Sequence, residues 1–175
     1  VTAHAHGVEG IKRAVRAGVR SIEHASYLDD EGIALMVKHG TWLVADIYNG
    51  DYIAEIGKRD GWPAEVLRKN DETTGTQRAG FQKAVRAGVR IAYGTDSGVY
   101  PHGRNANQFR YMVRYGMTPL QAIRSATLDS ARLLGHEKDF GSIAVGRRAD
   151  LIAVAGDPLV DVRVLEDVRG VIQAG

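Results

Sequence analysis

Histidines and an aspartate at the ends of short apolar runs are the residues here whose types and spacing could do chemistry. His4 closes the run that begins Val1-Thr2-Ala3, and His24 closes Val19 to Glu23. Asp96 follows Val89 to Tyr93, inside Gly94-Thr95-Asp96-Ser97-Gly98. Alternating apolar positions mark these runs as strands, and the two-residue period puts His6 on the same side as His4. Each residue has an ordinary alternative: a hydrogen-bonded strand-end imidazole, or a turn-forming Asp beside glycine. Together they form a set, because parallel strand ends converge on one mouth and bring positions 20 and 72 apart to one point. Imidazole with carboxylate is the donor set that zinc and similar divalent metals favour where an open site must hold a water. Such an ion lowers the pKa of its water to about 7, and an adjacent aspartate can take that proton and deliver it to a leaving amine.

Helices must separate and position these strand ends. Val8 to Ala17 carries Val8, Ile11 and Val15 as an apolar stripe, with Lys12, Arg13 and Arg16 off it and Gly18 as a stop. Asp30 is placed to cap a helix over Glu31 to His39, ended by Gly40. A third strand, Thr41 to Ala45, closes at Asp46. A connection from Ile47 to Gly61 with Tyr48, Tyr52 and Trp62 near it leads to Pro63, which suits the first turn of a long helix to Ala87. The order β-α-β-α-β-loop-α-β predicts parallel units of an α/β sheet or barrel. The segment Ala14 to Arg20 recurs letter for letter as Ala84 to Arg90, the same helix-stop-strand joint used twice. Beyond Asp96, helices are expected over Asn105 to Tyr115 and from Thr118-Pro119 to Leu134. Short antiparallel strands follow in the tail, among them Val168 to Gln173.

Composition narrows the classes. The 175 residues suffice for one core, and 23 basic against 21 acidic residues give no sign of a nucleic-acid partner. No cysteine is present, which excludes disulfides and thiolate ligands and fits a reducing, cytoplasmic compartment. No apolar run approaches the ~18 residues of a membrane span. No Gly-x-Gly-x-x-Gly or phosphate-loop pattern follows a strand, against an ordinary nucleotide-binding domain.

His4-Ala5-His6-Gly7, Ser21-Ile22-Glu23-His24, Gly94 to Gly98, Met117 to Ala122 and Gly146 to Leu151 stand in an order that resembles the C-terminal half of the amidohydrolase superfamily. Within it, the imidazolonepropionase-like and Xaa-Pro dipeptidase-like branch is the nearest in look. The resemblance implies an α/β fold: strands 5–8 of a distorted (β/α)8 TIM-like barrel plus part of a small β-sandwich. Residues 1–138 would form the half-barrel and 139–175 the sandwich segment. It implies a divalent metal, zinc being the favoured ion, with one or two ions in the parent enzyme. His4, His24 and Asp96 become metal ligands on strands 5, 6 and 8, and Asp96 the general base and acid. His6, His102 and Tyr48 become substrate-pocket candidates, the alternatives being a hydrogen bond to a neighbour for His6, a solvated loop position for His102 and aromatic packing for Tyr48. The implied reaction is hydrolysis of an amide-type C–N bond in a small molecule, a dipeptide or N-acyl amino acid. Cyclic amides, carbamates or ureas are the alternative substrates.

One departure from the pattern is large. The family's strand-1 His-x-His pair and bridging strand-4 lysine have no counterpart, since all six lysines fall on predicted helices or loops. The chain therefore reads as half of a metalloenzyme, with Gly175 directly after a strand. Open strand edges lead to the expectation of a homo-oligomer or of association with a missing N-terminal half. An inactive fragment or assembly subunit is the alternative that this departure favours.

Overall fold

Strand-helix alternation with short glycine stops leaves parallel pairing as the way to join successive strands, and this is what the computed structural model of residues 1–175 contains. Strands β1 (Thr2–Ala5), β2 (Ser21–His24) and β3 (Trp42–Val44) form one parallel sheet in sequence order. The register pairs His4 with Glu23 and Ala5 with His24. Helix α1 (Val8–Arg16) joins β1 to β2, and α2 (Asp30–His39) joins β2 to β3. After β3 come α3 (Asn49–Arg59) and the long α4 (Ala64–Arg86). Helices α5 (Asn107–Arg114), α6 (Pro119–Ala126) and α7 (Leu128–Leu134) follow the glycine-rich loop.

The core lies where helix stripes meet the sheet. Ile11 and Val15 of α1, Ile22 of β2, Met36 of α2, Leu43 of β3, Phe81 of α4 and Met112 of α5 are all buried in one cluster. Each such side chain contributes about 1.5–3 kcal/mol by leaving water. Lys12 departs from the expected solvated face. It is buried between α1 and α2, where it pairs with Asp29 at 2.8 Å and Glu31 at 2.5 Å. Those two carboxylates let a charged nitrogen be buried at the helix junction.

Several boundaries differ from expectation for identifiable reasons. Asp29, not Asp30, caps α2, its carboxylate accepting from the Gly32 N–H at 2.7 Å. Pro63 is the N-cap of α4 rather than part of its first turn. The helix expected from Thr118 to Leu134 is two helices, broken at Thr127 where φ is −124° and ψ −97°. The expected strand over Val89 to Tyr93 is reduced to a single parallel bridge between Leu43 and Ile91. It ends early because the Tyr93 N–H turns away from β3 to the Ser125 carbonyl, 3.0 Å distant.

The tail forms an antiparallel pair, β4 (Leu151–Val154) with β5 (Val168–Ile172), as its turn-and-strand pattern predicts. A 3-10 turn over Val162–Glu166 packs against α5 and buries Val162 and Leu165. No helix is long and apolar enough to cross a membrane.

Candidate metal centre

Parallel register places residues of equal depth side by side, so the C-terminal ends of β1 and β2 bring their histidines together. The His4 and His24 ring centroids lie 4.5 Å apart, and His4 and His6 4.6 Å apart. His6 and His24 stack at 4.9 Å. Nitrogen ligand atoms of these three rings lie within 4.8 Å of one another, and the same holds for a second triad of His24, Asp46 and Asp96. His24 belongs to both. Asp96 reaches the site because Gly94 lets its segment run against β3: a Cβ there would sit 2.2 Å from Val44 Cγ1.

Strain marks the same spot. His24 (φ 68°), Ala25 (φ 51°) and Asp96 (φ 49°) are non-glycine residues in the left-handed region, which costs about 1–3 kcal/mol each and needs surrounding structure to hold it. That structure is a hydrogen-bond frame. Gln108, buried on α5, donates to the carbonyls of Ala45 (2.5 Å) and Gly94 (3.0 Å) and accepts from the Tyr48 N–H. It therefore ties the end of β3 to the Asp96 loop. Asn105 donates to Ser97 Oγ at 2.7 Å and to Thr95 Oγ1 at 3.1 Å, holding the loop on either side of Asp96.

The electrostatics divide the histidines. Burial, with the charges of His24 and His4, holds the His6 imidazole below its ordinary value. The hydrogen bond to Asp46 raises His24, outweighing its burial. Burial pushes the Asp46 carboxyl up, but the His24 bond and charge leave it below the usual carboxylate range. His6 Nδ1 lies 2.8 Å from Ser26 Oγ.

His4, His6, His24, Asp46 and Asp96 all line one cleft of about 670 Å³, whose opposite wall is α4. The set fits a divalent metal: the donors are imidazole and carboxylate, close to one another and open to the cleft. His102 is exposed on the loop that follows Asp96 and is not among the residues lining this cleft. Tyr48 is buried in an aromatic cluster with Tyr52, Tyr100 and Tyr111 and is likewise not a lining residue. Asp46, Asn49, Gln77 and Gln108 are the site-building residues that sequence reasoning missed. Asp46 carried the same strand-end signal as His24. The other three lie within helices and carried none.

The amidohydrolase family model matches residues 1–175, and the chain belongs to that family. It resembles a crystal structure of an Xaa-Pro dipeptidase with methionine bound in its active site, with TM-score 0.93, 47% identity, 99% of this chain covered and 43% of that one. Aspergillus niger ochratoxinase is 36% identical over 174 residues, 98% of this chain and 35% of the ochratoxinase. Imidazolonepropionase of Micrococcus luteus is 27% identical over 157 residues, 86% of this chain and 37% of that protein. The chain thus spans less than half the length of these relatives.

Proposed function

We propose that this chain carries part of the active site of a metal-dependent hydrolase that cleaves an amide-type C–N bond in a dipeptide or N-acyl amino acid. The observation that carries the reading is that His4, His24 and Asp96 all line one open cleft, with His24 in one triad with His4 and in another with Asp96. These three would hold the ion, zinc being the favoured one, and the ion when bound lowers the pKa of a water to about 7. Asp96, the exposed carboxylate of the set, would accept a proton from the attacking water and return it to the leaving nitrogen. His6 faces the same cleft and is available to a substrate carbonyl or carboxylate. The likeness to an Xaa-Pro dipeptidase and to ochratoxinase supports an amide substrate.

The three-stranded sheet and the Ile91 bridge are read as strands 5–8 of a distorted (β/α)8 barrel, with residues 1–138 as the half-barrel and 139–175 as a β-sandwich segment. On this reading β1, paired on one side only, joins an N-terminal half or a second copy. Exposed Ile143, Val145 and Val171 favour cover by further protein at the tail as well.

Elemental analysis of the untagged protein tests the metal, with His4→Ala, His24→Ala and Asp96→Ala beside it. Bound metal that falls in all three variants supports the site, and metal unaffected by them refutes it. A substrate panel of Xaa-Pro dipeptides, N-acyl amino acids, cyclic amides, carbamates and ureas then tests the bond class. Cleavage that requires a free C-terminal carboxylate is expected, and turnover confined to cyclic amides, carbamates or ureas would replace the peptidase assignment. Metal retention without hydrolysis of any member, with or without an added N-terminal half, would leave the chain an assembly subunit.

A further inference from the structure

We propose that Asp46 is a positioning residue that fixes which nitrogen of His24 faces the cleft, an inference that rests on the metal-site reading above. Donor arithmetic carries it. Asp46 Oδ1 lies 3.0 Å from His24 Nδ1 and 3.1 Å from Gln77 Nε2, and its Oδ2 lies 2.7 Å from Asn49 Nδ2. An ionised carboxylate only accepts, so all three nitrogens must donate. Gln77 has no freedom to flip its amide, because the same Nε2 also reaches the His24 carbonyl oxygen at 3.2 Å, a second acceptor. Asn49 likewise meets Asp46 through its nitrogen. His24 Nδ1 therefore carries a proton, and in the neutral ring Nε2 keeps its lone pair, the form in which an imidazole binds a metal.

The geometry also explains why this carboxylate can do the work. Asp46 is only 12% exposed, so water does not compete freely for its oxygens. Gln77 reaches it from α4 and grips the backbone oxygen of His24, the residue at φ 68°. One carboxylate and one amide thus hold both the ring and the backbone of the histidine shared by the two triads. His6 supplies an internal contrast. Its Nδ1 meets the Ser26 hydroxyl, which both donates and accepts, so nothing in that contact selects a tautomer.

The test uses the full protein with ring-¹⁵N histidine, kept metal-free at pH 9, where imidazoles are neutral. Long-range ¹H–¹⁵N correlation then identifies the tautomer of each histidine. His24 is expected as the Nδ1–H form in the wild type and as a mixed or Nε2–H form in Asp46→Ala, with His6 unchanged. Competition against a chromophoric chelator should show Zn²⁺ affinity falling about 10–100-fold in that variant. Should Asp46→Ala fail to fold, Asp46→Leu keeps a branched side chain in the space while removing every acceptor, and the same two shifts are expected. A His24 that remains Nδ1–H in both variants, or Zn²⁺ affinity unmoved by a changed tautomer, overturns the proposal. Wild-type protein that binds no Zn²⁺, or whose binding survives His24→Ala, instead overturns the metal-site reading. The tautomer measurement on metal-free protein still decides what Asp46 does to His24.

Discussion

The two ends of the parallel strands make opposite use of their charged side chains. At the N-terminal end lies the larger cavity, about 930 Å³, lined by Arg20, Arg90, Arg124 and Arg132. Its arginines are engaged in holding the fold. Arg20 donates to the carbonyls of Arg132 and Leu133 at the end of α7, Arg90 lies over the Trp42 ring, and Arg124 and Arg132 share Asp129. At the C-terminal end the cleft is smaller, yet His4, His6, His24, Asp46 and Asp96 gather their ligand atoms on it. Cavity size therefore does not distinguish the proposed site. What distinguishes it is a cluster of donor atoms held close together, in a frame of strained backbone that other residues support.

This contrast can be broken at either end. The largest expected effect is His24→Ala, which should take bound metal to background. That exceeds the about 10–100-fold cost of losing only a ligand's hydrogen-bonding partner. Elemental analysis beside Arg20→Ala, which should keep its metal, reads the difference. Ile22→Ala, between the two ends, should cost about 2–5 kcal/mol of stability by urea titration, because Ile22 is fully buried and leaves a cavity. Gly94→Ala forces a methyl against Val44 and should cost about 1–3 kcal/mol. It should also weaken metal binding by moving Asp96, which a chelator competition would show.

Arg20→Ala itself removes two donors to α7 carbonyls and should cost about 1 kcal/mol. That lowers the melting temperature by about 2–4 °C with no change in metal affinity. The smallest effect concerns acid. Burial raises Asp51, but the Tyr111 hydroxyl and Arg78 guanidinium outweigh it and hold the carboxyl below its usual range. A depressed folded pKa contributes stability above the unfolded value, about 3.9, that is lost as pH falls through the folded one. Urea midpoints measured from pH 6 downward should therefore fall less steeply in Asp51→Asn than in wild type. Equal slopes would show that the contact contributes nothing.

Much of this was legible in particular residues. Alternation and glycine stops marked β1, β2 and β3, and the strand-end positions of His4, His24 and Asp96 pointed to one mouth. The segment before Asp96 misled as a full strand, because alternation records which side chains are apolar and not where each N–H finds its partner. Tyr93 finds its partner at Ser125. Lys12 misled for a related reason: a charged residue beside an apolar stripe reads as solvated until two carboxylates on the next helix are seen to cover it.

The sequence by itself determined the order of strands and helices, the family, and the three ligand candidates at strand ends, since each depends on neighbours a few positions away. Only the tertiary structure decided that His24 is shared between two triads, that Asp46 and Gln77 hold it, and that Tyr48 and His102 stand outside the cleft lining. Gln77 meets His24 across 53 positions, and Gln108 meets Ala45 across 63. No local period encodes such contacts, because they exist only once the sheet has set the depth of each strand end and α4 and α5 have packed against it.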